Sequence, residues 1–319
     1  MGKSAFVVFF VLVCFAFCGL MILCIGGCGG ASVAGEKKIQ SVPSYEVRIE
    51  KDLVYLGPGR EEKLDLYMPA NTKKNERFPG IVIIHGGGWH GGDKNHMREQ
   101  NIGTNLAREG YVCISINYAL SAPGKPTWPQ NIYDCKTAVQ FLRKNAERYQ
   151  VDPKHIGVIG GSAGGHLSAM VGLAGPDAGL EPPEPYKGIS SQVQAAVPMY
   201  GVHDFEVAVS EKTAVAIEQF LGVCRAEDPK RWRVASPVNQ VDKNDPPFLI
   251  LHGTADVVVP VEQSVILHSA LRQHCVESDL VIIEGAPHSF HLQPKQQDLR
   301  ELVIGFFDKH LKGKDQCHG

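Results

Sequence analysis

Hydrophobic and polar positions follow two rhythms along most of this chain, after an opening that has neither. From Ala5 to Ile25 every position is apolar except Gly19, and after Lys3 the next charged residue is Glu36. Past a polar stretch, Tyr45–Leu56 and Lys63–Met68 alternate with period two, as an antiparallel pair at a sheet edge does. Ile81–His85 is instead a short continuous apolar run, the mark of a strand buried on both faces. Similar runs recur at Tyr111–Tyr118, Ile156–Gly160, Val193–Tyr200, Phe248–His252 and Leu280–Glu284. Between them, helical spacing covers Met97–Arg108, Asn131–Tyr149, Ala163–Leu173, Glu211–Leu221, Val261–His274 and Gln296–Leu311. Strand and helix in alternation predict an α/β fold: a mainly parallel central sheet with helices on both faces. No internal repeat interrupts it. The proline-rich stretch Gly175–Ser191 predicts a surface loop near the functional site.

The opening run is longer than the roughly 7–15 residues of a cleaved signal core and close to the roughly 20 that span a bilayer. Residues 1–28 therefore read as a signal peptide or as a membrane or lipoprotein anchor. Ile25-Gly26-Gly27-Cys28 resembles a bacterial lipobox, which makes Cys28 the candidate lipidated residue. Export is expected, to a secreted or membrane-anchored location. A linker covers 29–44, a single domain 45–312 and a tail 313–319.

Composition sharpens this organisation. The 319 residues carry 32 Lys and Arg against 34 Asp and Glu, a near balance that argues against a nucleic-acid partner. Of nine cysteines, Cys14, Cys18, Cys24 and Cys28 lie in the leading segment. The rest form no CxxC pair, so a disulfide framework is not expected. Cys113 lies in an apolar run and Cys135 at helical core spacing, as small buried residues.

In an open parallel sheet, ligands bind beyond the carboxyl ends of the strands. The residues after each apolar run are therefore the ones to inspect. Ile156–Gly160 leads into Gly160-Gly161-Ser162-Ala163-Gly164 and then a helix. In this GxSxG pattern small neighbours let the chain turn sharply with the serine at the apex. Ile81–Ile84 leads into His85-Gly86-Gly87-Gly88-Trp89, where backbone amides can approach a developing oxyanion because side chains are absent. Gly86, Gly88 and Gly91 also satisfy GxGxxG, but the next strand ends Ile116-Asn117-Tyr118, without the acid a dinucleotide ribose needs. Gly92 is followed by Asp93 rather than a Walker lysine, and His85, His90 and His96 lack metal-ligand spacing. No cofactor or metal is expected. Asp256 follows the Phe248–His252 run and His288 follows Leu280–Glu284, completing the order serine, acid, histidine. Asp204 is the rival acid and His291 the rival histidine.

These residues resemble the α/β-hydrolase superfamily, specifically esterases near the hormone-sensitive-lipase and bifunctional feruloyl/acetyl-xylan esterase groups. The resemblance runs from about Tyr55 to Leu311. It includes Leu64–Pro69, Asp152–Ile156, Ser236-Pro237 and Asp245–Phe248. Relatives commonly read Tyr-Arg-Leu where this chain has Tyr118-Ala119-Leu120, which leaves the subgroup open. The resemblance implies an α/β-hydrolase fold for the 45–312 domain, while the length between Tyr200 and Phe248 leaves room for only a short cap. It implies Ser162 as nucleophile, His288 as base, Asp256 as its acid, and an oxyanion hole from the amides of Gly87, Gly88 and Ala163. The expected activity is hydrolysis of small-molecule or polysaccharide esters with short acyl or feruloyl groups, through an acyl-enzyme. A general carboxylesterase or lipase is the alternative, as is an arylformamidase or peptidase using the same triad.

Overall fold

The computed structural model describes residues 44–312 apart from 208. The readings made on 1–28, including Cys28, on nearly all of the 29–44 linker and on the tail 313–319 lie outside the described residues. The elements run β1 (Val47–Val54), β2 (Lys63–Pro69), β3 (Phe78–Ile84), α1 (Met97–Arg108), β4 (Val112–Ile116), α2 (Gln130–Lys144), β5 (Val151–Gly161) and α3 (Ala163–Leu173). They continue with β6 (Ala195–Met199), α4 (Glu211–Leu221), α5 (Pro229–Val234), β7 (Phe248–Gly253), α6 (Glu262–Gln273), β8 (Ser278–Ile283) and α7 (Arg300–Leu311). The strands form one sheet in the order β1-β2-β4-β3-β5-β6-β7-β8. β1, β2 and β4 pair antiparallel, and every pairing from β4 to β8 is parallel.

Side-chain alternation divides the core into two layers. Ile81, Ile83, Ile159, Val197 and Leu251 face α1 and α7, where they meet Ile102, Leu106, Val303 and Phe307. Val82, Ile84, Val158 and Ile250 point the other way, towards Cys135 and Val139 of α2, Leu167 of α3 and Leu267 of α6. Each such side chain contributes about 1.5–3 kcal/mol by leaving water. A strand buried on both faces thus has no polar position to spare, which is why β3 reads as a continuous apolar run. Cys113 and Cys135 are buried and unbridged, and Cys224 and Cys275 are free as well.

Three details differ from the sequence reading. α5 has only six residues, too few for a periodic signal, and proline at its first position starts it. α2 ends at Lys144 and α7 begins at Arg300, so both helices are shorter than their apolar spacing. The loop after α3 lies away from the functional site. α3 starts just after Ser162, and eleven residues of helix carry the chain about 16 Å further on. The loop residues Pro176 and Asp177 accordingly share a surface depression with Asp245 and Pro246, which precede β7. Among the described residues no helix is long and apolar enough to cross a membrane.

Candidate active site

The β5–α3 turn forces Ser162 into a conformation that residues with side chains rarely adopt, φ 59° and ψ −121°. The residues two positions away on either side must be glycine because backbone fills the space around them. A β-carbon on Gly164 would lie 2.1 Å from the Ile84 carbonyl oxygen, and one on Gly160 would lie 2.4 Å from that of Gly164. The Ser162 N–H donates to the Met199 carbonyl at 2.9 Å, which ties the turn to the end of β6.

Three strand ends bring the predicted serine, histidine and acid together across 126 residues of sequence. Ser162 Oγ lies 2.9 Å from His288 Nε2, and His288 Nδ1 lies 2.6 Å from Asp256 Oδ2. An ionised Asp256 can only accept, so Nδ1 carries the proton and Nε2 is left to accept from the serine hydroxyl. The N–H groups of Val258 and Val259 both donate to Asp256 Oδ1 at 2.9 Å. His252 Nε2 lies 3.3 Å from Oδ2, while that ring also bridges the Val259 carbonyl and Ser264 Oγ. Burial alone would raise the Asp256 pKa, but the donors from His252, His288 and Val259 outweigh it and hold the carboxyl well below the usual carboxylate range.

Gly87 and Gly88 of the glycine loop take φ 124° and 59°, and a β-carbon on Gly87 would lie 2.1 Å from the Gly91 carbonyl oxygen. Trp89 anchors this loop. It is buried, its indole N–H donates to His166 Nδ1 at 3.1 Å, and its ring stacks on Phe220 of α4 with centroids 4.8 Å apart. The His166 imidazole is fully buried, which lowers its pKa to about 4, so it stays neutral and can accept that bond. Ser162, His288, the glycine loop, Ala163 and α4 enclose an open cavity of about 740 Å³. Thr213 of α4 donates from Oγ1 to the Val258 carbonyl at 3.2 Å, pinning the helix over the acid loop.

The remaining candidates stand elsewhere. Asp204 accepts from the Glu206 N–H and its backbone bonds to Gln263. His291 accepts from the Gln293 N–H in a surface depression beside α1. His85 stacks on Tyr118, and burial lowers its pKa to about 4. His90 and His96 line the cavity mouth, and among the described residues no cluster of His, Cys, Asp or Glu is arranged to hold a metal. The Ala119 N–H donates to buried Asp134, whose partner guanidinium comes from distant Arg60. Sequence reading missed Arg98, Tyr200 and His252. Tyr200 and His252 do end apolar runs, but neither fits a motif; Arg98 carries no local signal.

The BD-FAE family model matches residues 64–271. Esterase LipQ of Mycobacterium tuberculosis is 35% identical over 247 residues, 76% of this chain and 57% of LipQ. The chain thus spans little more than half the length of that curated relative. A truncated carbohydrate esterase from gut microbiota superposes with a TM-score of 0.73 at 28% identity, covering 84% of this chain and 97% of its own. Thermogutta terrifontis esterase 2 phosphonylated by sarin gives a TM-score of 0.69 at 28% identity, over 85% and 98%.

Proposed function

The chain belongs to the BD-FAE family and has the α/β-hydrolase fold, and from that premise we propose that it is a serine esterase that hydrolyses carboxylic esters through an acyl-enzyme. The observation that carries this reading is the unbroken chain Ser162–His288–Asp256, at 2.9 and 2.6 Å, opening into the cavity. Ser162 Oγ attacks the ester carbonyl as His288 Nε2 takes its proton, and Asp256 stabilises the imidazolium that forms. The amides of Gly87 and Gly88, on the loop held by Trp89, and of Ala163, at the start of α3, receive the oxyanion. Collapse expels the alcohol, protonated by His288, and water then cleaves the acyl-serine by the same route.

For substrate, the reading favours short-acyl or feruloyl esters of polysaccharides. Two features support it: an open cavity bordered by the short helix α4, and the likeness to a carbohydrate esterase. Segment 1–28 belongs to the same reading as the export or anchoring signal, with Cys28 as the residue to lipidate if it is a lipoprotein. The test is Ser162→Ala with p-nitrophenyl acetate and a fluorophosphonate probe. Hydrolysis should fall by about 10⁴-fold or more and labelling should vanish. Full esterase activity in Ser162→Ala would sink the assignment. Acetylated xylan and methyl ferulate should outrun p-nitrophenyl palmitate; a palmitate preference would turn the reading towards a lipase.

A further inference from the structure

Tyr200, the first residue past β6, stands between the Ser162 turn and the His288 loop. It is fully buried, its φ is 39°, and its N–H donates to the Leu251 carbonyl at 2.7 Å. Such a backbone is strained in a residue with a side chain and persists only where the surroundings impose it. On one side, a β-carbon on Gly161 would lie 2.5 Å from Tyr200 Oη, so the phenol abuts the residue before Ser162. On the other, its ring meets the His288 ring edge-on at 5.0 Å and the Phe290 ring at 4.5 Å. One aromatic side chain thus spaces the two segments whose separation sets the Ser162–His288 hydrogen bond.

The hydroxyl of Tyr200 has its direction imposed by Arg98. A guanidinium can only donate. Arg98 Nη1 lies 3.4 Å from Tyr200 Oη, so the phenol oxygen accepts there, and its own proton goes to the Phe290 carbonyl at 2.5 Å. Burial pushes the phenol pKa up to about 12, which keeps that proton in place in neutral and mildly alkaline solution. Arg98 is itself held by the buried Glu99 carboxylate, through Nε at 2.7 Å and Nη2 at 2.6 Å. It also borders the cavity: a β-carbon on Gly86 would lie 3.1 Å from both Arg98 Nη2 and Ser162 Cβ.

We propose that Tyr200 is a positioning residue that sets the Ser162–His288 distance, and that Arg98 acts through it by turning its hydroxyl onto the Phe290 carbonyl. This rests on the reading of Ser162 as nucleophile and His288 as base. Proton transfer demands hydrogen-bond contact, so a loop freed at Phe290 lowers turnover more than it weakens substrate binding.

The experiment is a double-mutant cycle of Tyr200→Phe and Arg98→Met, with kcat and KM on p-nitrophenyl acetate, fluorophosphonate labelling rates and melting temperatures. Tyr200→Phe should lower kcat about tenfold with KM within about twofold, and labelling should slow in proportion. Arg98→Met should lose kcat in the same way. The double variant should be no worse than Tyr200→Phe alone, because Arg98 needs the hydroxyl to act. Unchanged kcat in Tyr200→Phe overturns the proposal. So do losses that multiply in the double variant, which would make Arg98 an independent substrate contact. Should Tyr200→Phe fail to fold, Arg98→Lys decides: a retained donor should recover most of the kcat that Arg98→Met loses, and equal losses overturn the idea. Ser162→Ala separates the layers: labelling that survives there sinks the esterase reading itself, and labelling that vanishes leaves only the positioning role at stake.

Discussion

The Asp256 carboxylate is surrounded by donors on both oxygens. Oδ1 takes two backbone N–H groups, and Oδ2 faces His288 with His252 behind it. Substituting Asp256→Asn replaces that acceptor with an amide that can present its NH2 group to Nδ1 and so favour the wrong histidine tautomer. Turnover should fall about 10⁴-fold in steady-state assays. The folded pKa of Asp256 lies below the unfolded value of about 3.9. The carboxylate therefore stabilises the fold above the unfolded pKa and loses that contribution only as pH falls through the lower, folded one. Thermal melts should show Asp256→Asn less stable than the parent at pH 7, with the gap narrowing in strong acid; a constant gap would refute the linkage. Ser162, Asp256 and His288 were legible because each comes a few residues after an apolar run. Tyr200 was not, because its part depends on a hydrogen bond to Phe290, 90 residues away.

At the scale of elements, the β5–α3 turn is built by exclusion. Gly164 lies against the end of β3, and the 2.1 Å approach of a β-carbon to the Ile84 carbonyl cannot be relieved by rotating a side chain. Gly164→Ala should cost about 1–3 kcal/mol or more and lower both melting temperature and activity. Gly175→Ala, where nothing lies within 4 Å, is the matched control and should melt with the parent. Equal behaviour of the two would refute the packing account. Element positions were largely legible, since buried strands and amphipathic helices carry different apolar periods. α5 was not, and neither was the direction of the loop after α3. Periodicity does not say which end of a helix the next loop leaves from in space.

Across the described domain as a whole, the two ends of the sheet are chemically distinct. Ser162, Asp256 and His288 gather at the carboxyl ends of the strands, while Asp245 sits before the opposite end of β7. Burial, with like charge from Asp242, raises the Asp245 pKa to about 7 despite a hydrogen bond from the Asp242 N–H. A folded pKa above the unfolded value means that stability is fullest below about pH 4 and is lost as pH rises through 7. Asp245→Asn keeps an acceptor without the charge. It should melt about 2–4 °C above the parent at pH 8 and with it at pH 4, with esterase activity unchanged. The same shift at both pH values would show that charge is not the cause.

Read alone, the amino-acid sequence established the α/β alternation, the mainly parallel sheet and the order of serine, acid and histidine. All three are written locally, in the period of apolar residues and in the few positions just past each run. Three-dimensional packing was needed to bring one histidine against Ser162 and one acid against that histidine, to lock the glycine loop to α4 through Trp89 and Phe220, and to brace the His288 loop with Arg98 and Tyr200. Those contacts join residues tens to more than a hundred positions apart. Their geometry comes from how strand ends meet when both faces of the sheet are packed, and no local pattern of residues carries it.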